Sequence, residues 1–251
     1  MQARHMLIAA VLAAPLAAAA GVSQAATSPL PQAEKKVVTN IDQLPRRTYT
    51  IGKLPSELLD APKSELDPVL EQLDRDVASD LVTLDIRDHA MRAGMINARV
   101  QIAIHRGDYK AAQTFIHQLR DEQEGAAEKM INGTSLEKVL DARIKGGSLE
   151  AQRAYFKAAI AKAYGAMPWD VVSENLKQAK ASFEVMSRDA TVGAMKSSLD
   201  PVAKKMNLQV PATFVLAIVS VRNTFEHMLP FRDDAVAVLQ SIVDRNQGAS
   251  H

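Results

Sequence analysis

The residues with chemical capacity in this sequence are six histidines, a string of aspartates and one Gly-Thr-Ser triplet. The histidines are His5, His89, His105, His117, His227 and His251, and none stands in the HExxH spacing that puts two imidazoles on one face of a zinc helix. His105 and His117 flank Gly107, so a hairpin there brings them toward each other, but no carboxylate pattern accompanies them and surface or capping roles are expected. Asp74, Asp76, Asp80, Asp85 and Asp88 are interleaved with Arg75 and Arg87, which reads as a solvated helix face; no EF-hand glycine goes with them. Gly133-Thr134-Ser135 offers a hydroxyl without a base. Thr134-Ser135-Leu136-Glu137 has capping-box spacing instead, with Thr134 as the cap and Glu137 reaching back to its amide. The absence of Cys removes thiol nucleophiles, redox pairs and thiolate metal sites. No phosphate-binding glycine loop and no GxSxG elbow occur. The sequence therefore assigns no catalytic residue, no metal ligand and no cofactor.

What remains is a candidate interaction surface of Arg47, Tyr49, Ile51 and Trp169. Arg47-Thr48-Tyr49-Thr50-Ile51 alternates and is β-branched, so it reads as a linker on the body's surface or as a short strand or extended docking segment. Trp169 follows the helix-opening Pro168, as a core anchor or a contact. Of the ten methionines, Met91, Met95, Met130, Met167, Met186, Met195, Met206 and Met228 lie in the body and read as core fillers at helical spacing.

The elements that must position these residues are helices. Forty of 251 residues are Ala, aromatics make up 4% and Gly numbers 11, a mix that favours helix over sandwich, barrel or doubly wound sheet. Prolines 29, 31, 45, 55, 62 and 68 crowd the front and the next is Pro168, a gap that uninterrupted helices require. Residues 26–63 are therefore an extended proline-rich arm and 64–246 an all-α bundle of helical hairpins, about eight or nine helices, before a polar tail at 247–251. Asp67-Pro68 opens the first long helix, with Asp67 as its cap and Val69, Leu70, Leu73, Val77, Leu81 and Leu84 on one face. Helices follow over 88–106, 108–122, from Thr134 to Gly146-Gly147, and over 149–164. Val172, Leu176, Ala179, Phe183 and Met186 make a seam in steps of 4, 3, 4, 3. Phe214, Ile218, Val221, Phe225 and Met228 repeat those steps on a helix that should be the most central. Pro201, Pro211 and Pro230 mark further helix starts. Gly107-Asp108-Tyr109 with Ala112 matches half of a tetratricopeptide unit, but no second copy follows and an ordinary hairpin is expected.

Residues 1–25 read as a secretory signal peptide: Arg4 and His5, the 15-residue apolar run Met6–Ala20, then Ser23-Gln24-Ala25 as the cleavage site. That run is short of the roughly 18–20 residues a membrane span needs. Export to the periplasm or medium is expected, without stable membrane insertion after cleavage. A formal net charge of +1 gives no footprint for nucleic acid.

The order Asn40-Ile41-Asp42-Gln43-Leu44-Pro45-Arg46-Arg47-Thr48-Tyr49, then Asp85-Ile86-Arg87-Asp88, then Pro168-Trp169-Asp170-Val171-Val172 with Asn175-Leu176-Lys177-Gln178-Ala179-Lys180-Ala181-Ser182 carries a resemblance. It resembles the α-helical region preceding the catalytic domain in some exported bacterial subtilisin-like serine peptidases, over most of 36–246. In that family the catalytic Asp, His and Ser follow the helical region, so the resemblance brings no catalytic residue to this chain. In the family Gly-Thr-Ser continues with a small residue or Met and then Ala, where this chain has Leu136-Glu137. The expected function is a non-catalytic exported module for docking, folding assistance or domain packing, with a protein or peptide partner that the resemblance suggests is a peptidase domain. The alternatives are a stand-alone helical scaffold binding peptide or protein, and an enzyme with an unfamiliar Asp, His and Tyr site.

Overall fold

The computed structural model describes residues 35–123, 136–184 and 187–248. The leader, the Thr134 cap, Ser135 and residues 249–251 lie outside them, as do the side chains of Phe183 and Met186. The fold is an all-α bundle, and the described residues hold nine helices of ten residues or more. After the short helix α1 (Pro55–Leu58) come α2 (Asp67–Thr83), α3 (His89–His105), α4 (Tyr109–Gln123) and α5 (Leu136–Lys145). Then follow α6 (Leu149–Gly165), α7 (Trp169–Glu184), α8 (Arg188–Lys205), α9 (Ala212–Asn223) and α10 (Leu229–Gly248). No described helix is long and apolar enough to cross a membrane.

Local chemistry sets most of these ends. Asp88 and Ser148 cap α3 and α6 by accepting from the amides of Met91 and Ala151. Gly107 at φ 74° closes α3, and the Asp108 amide returns to the Ala103 carbonyl. Fully buried Ala112 lets α4 lie close against α3, so that stretch is an ordinary hairpin. Two expected boundaries move. Leu66, not Asp67, is the cap of α2, which ends at Thr83, so that Leu84 starts a strand instead of extending the apolar face. Pro201 lies inside α8; its missing N–H falls opposite exposed Ser197, whose carbonyl water can reach.

The larger correction concerns the arm. Strand β1 (Lys36–Val38) pairs in parallel with β3 (Leu84–Ile86), and β2 (Thr48–Thr50) pairs antiparallel with β4 (Gln209–Pro211), Tyr49 opposite Val210. Tyr49 and Ile51 are buried with Leu58, Leu66, Leu70 and Ile218 in the first of three apolar clusters. From Lys36 onward the arm is thus part of the body and not a surface linker. The second cluster joins Phe156, Ile160, Val172, Leu176, Phe231 and Leu239; the third joins Ile96, Val100, Ile116, Leu119 and Leu140. Ile51 is 1% exposed. Ile51→Ala is expected to lower stability by about 2–5 kcal/mol, read as a fall in urea midpoint at unchanged m value; a shift within about 0.5 kcal/mol, as for a surface linker, would refute the arm's place in the core.

Candidate functional site

Helix α9 is apolar for most of its length, yet Ser220, Arg222 and Asn223 near its end are buried. Buried polar groups need partners, and Arg222 and Asn223 find some of theirs on distant elements, while Arg222 Nε and Asn223 Oδ1 have none among the described residues. The Asn223 side-chain amide donates to the carbonyl (2.8 Å) and side-chain oxygen (3.0 Å) of Gln101 on α3. Arg222, 5% exposed, donates through Nη1 to the Leu58 carbonyl at the end of α1 (2.9 Å) and through Nη2 to Glu226 Oε1 (3.3 Å).

The chain then opens into a π turn over Thr224–Met228, closed by the Leu229 amide bonding to the Thr224 carbonyl five residues back. One residue is inserted relative to an α-helix, turning everything downstream by about 100°. Phe225 stays with the first cluster while Met228 packs against the second and third. Between them the turn places Glu226 and His227 at the meeting point of all three.

Lys63 arrives from the turn between α1 and α2. Its Nζ lies 2.7 Å from Glu226 Oε2 and 3.2 Å from the His105 carbonyl, to which it donates. Arg143 of α5 donates to the Glu226 carbonyl (3.2 Å) and to Gln152 (3.1 Å), with its guanidinium 5.1 Å from the centre of the Phe231 ring. The Tyr109 ring meets His227 edge-on at 5.8 Å, with its hydroxyl 3.5 Å from Nδ1. His227 Nε2 faces Glu226 Oε2 at 3.7 Å, too far to bond. His105 is 1% exposed, and neither of its ring nitrogens has a partner among the described residues.

Burial and the nearby cations decide the protonation states. Desolvation, then Arg222 and Lys63, push the His105 imidazole down to about 4. Desolvation, then Lys63 and Arg143, bring His227 down to about 4 as well, with His105 adding to the effect. Desolvation acts to raise the Glu226 carboxyl, but the Lys63 bond and the charges of Lys63 and Arg222 hold it below the usual carboxylate range. At neutral pH the Glu226 carboxyl is therefore ionised and both imidazoles are neutral. With Lys63, Arg143 and Arg222 these groups form a largely buried polar knot.

Of the sequence-assigned surface residues, three are used internally. Arg47 grips both oxygens of Asp80, with Nη2 to Oδ1 at 2.9 Å, and lies 3.7 Å from Asp76. Tyr49 donates to Asp76 (2.9 Å); its burial, then that bond, raise the phenol's pKa. Ile51 is core. The aspartates are accordingly not one solvated face: Asp80 is buried, Asp74 pairs with Arg99 (3.0 Å) and Asp88 is a helix cap, while Asp85 pairs with exposed Arg87 at the surface. Trp169 alone is open, 52% exposed within the wholly exposed run 165–171. His105 meets the field of His227 and not an exposed His117, and no cluster able to hold a metal occurs among the described residues. The sequence signal for this site was the Arg222-Asn223 pair closing an apolar helix, polar residues where only partnered ones are tolerated.

No protein family matches the chain, and no curated protein or solved structure is similar to it at a significant level.

Both imidazoles lie near 4 in the folded chain against 6.5 as the ordinary value, so between those limits the unfolded chain binds more protons and stability falls as pH falls. Glu226 and Glu122 are held below their usual 4.5, so their stabilising contribution is lost only at lower pH. The urea midpoint is expected to decline from pH 7 to 4.5, with a slope of up to about 1.4 kcal/mol per pH unit per imidazole. A flat midpoint between pH 7 and 5 would show that the imidazoles are not buried in neutral form.

Proposed function

We propose that this chain is a non-catalytic, exported helical module that docks onto a protein or peptide partner, and that Trp169 anchors the contact. One observation carries the reading: residues 165–171 are all exposed and include Met167, Trp169 and Val171, while α7 is committed to α10 through buried Val172, Leu176 and Ala179. An indole half open to water and outside the three described clusters leaves a large apolar face uncovered, and aromatic anchors dominate protein contacts. Export rests on the apolar run Met6–Ala20 and its small-residue cleavage pattern. The partner that the sequence resemblance suggests is a subtilisin-like peptidase domain.

A second reading, an acid–base enzyme, has the Glu226–His227 pair in its favour. It requires one of the two to hold a proton at the working pH, which places any such activity in acid conditions.

The docking proposal is tested by calorimetric titration of the chain, without residues 1–25, into a purified subtilisin-like peptidase domain. Trp169→Ala is expected to weaken binding by about 30-fold, the scale of an aromatic anchor, with the urea midpoint unchanged. No binding by the unaltered chain, or equal binding by the variant, would refute the proposal.

A further inference from the structure

The turn Pro62–Glu65 is an exposed stretch of chain between two buried anchors, Ala61 and Leu66. It holds together by two short amide bonds, Glu65 to the Pro62 carbonyl and Leu66 to the Lys63 carbonyl. Lys63 fastens it to the body through Glu226 and the His105 carbonyl. Behind that fastening lie two imidazoles with unpartnered ring nitrogens.

We propose that this turn is an acid-released plug: protonation of His105 and His227 ejects Lys63 from its seat, and the turn lifts while the helices stay packed. The charged surroundings determine the direction. His105 is faced by Lys63 from the turn, Asp67 from the start of α2, Arg222 from α9 and Glu226 from the π turn. His227 is faced by Lys63, by Arg143 from α5, by Glu226, by His105 from α3 and by the Tyr109 hydroxyl from α4. Three cations already stand against two carboxylates, and two imidazolium ions raise the excess further. Arg222 is locked under the Leu58 carbonyl and Arg143 is bonded to Gln152 and the Glu226 carbonyl. Lys63, 43% exposed on a short turn, is the cation free to leave, and its departure vacates Glu226 for the imidazoles and admits water to their nitrogens.

The plug is read by hydrogen exchange of the Glu65 and Leu66 amides from pH 7 to 4.5, corrected for intrinsic rates, alongside imidazole titration by NMR. Coupling to one or two protons predicts a loss of protection of about 10- to 100-fold per pH unit below 6.5. The amides of Phe156, Ile160 and Leu239, which open only with the helices, should remain more protected than the plug amides at every pH. In the double variant His105→Gln, His227→Gln the steep loss should vanish. Lys63→Met, which removes the cation without touching the core, should move both imidazole titrations upward, and it decides the matter if the double variant does not fold. Plug and core amides opening together, plug protection flat while the imidazoles titrate, or titrations unmoved by Lys63→Met would each overturn the proposal.

Discussion

Arg222 is the charge this fold has to accommodate. Removing a guanidinium from water costs several kcal/mol unless its donors are met, and breaking such a pair costs about 3–5 kcal/mol. Two acceptors answer it, each a constraint on the chain. The Leu58 carbonyl is an orphan at the end of a four-residue helix, where a cation is also favoured by the helix dipole. Holding it there fixes α1, and with α1 the depth at which Ile51, Leu58 and Leu59 enter the first cluster. The second acceptor, Glu226, sits one turn further on, where the backbone widens. The arm and the π turn are thus tied to one buried cation, and Lys63 closes the circuit from the arm back to Glu226.

The widening also explains why three clusters and not one make up the interior. A regular helix through 214–228 would keep Phe214, Ile218, Val221, Phe225 and Met228 on a single stripe. The inserted residue rotates the chain between Phe225 and Met228, so the former stays with α9 and the arm while the latter turns toward α5, α6 and α10. From there Phe231, Ala235, Leu239 and Ile242 continue at helical spacing into the second cluster, with Phe231 edge-on to Phe156 at 5.0 Å. Polar residues collect at the point of rotation because no apolar stripe continues across it.

This pattern separates what could be read from the sequence from what could not. Helices and their ends are local: the signals at Gly107 and Pro211 correspond to a left-handed turn and a helix start, and the helices expected from 88 and 149 begin behind caps at Asp88 and Ser148. The seam Val172, Leu176, Ala179 is buried as its spacing requires. The strands were not legible as pairs, since three residues of alternation at Tyr49 cannot reveal that the partner is Val210. The aspartates misled for the same reason: on α2 their spacing fits a wet face, and it takes Arg47 and Tyr49 from the arm and Arg99 from α3 to turn Asp80, Asp76 and Asp74 into anchors. The polar knot needed residues from the arm, α3, α4, α5 and the π turn at once, and no window of sequence contains them. Leu208 is a further case. Its φ of 61° is costly for a branched side chain, but its amide and carbonyl are both engaged, by Ala203 and Ile51, and that double tie holds the left-handed step that brings β4 to β2.

A near-neutral chain can still distribute its charge unevenly, and here the distribution follows burial. Carboxylates at Asp80, Asp200 and Asp234 are buried, each held by a partner: Arg47, the Ser56 amide and hydroxyl, and Arg153. Around Glu226 the balance reverses, with Lys63 and Arg222 on its carboxylate and Arg143 on its backbone carbonyl, beside two neutral imidazoles. The buried aspartates are each matched by direct donors, whereas the Glu226 cluster also holds two neutral imidazoles among its cations, so a proton that arrives on either imidazole adds to a local excess of positive charge.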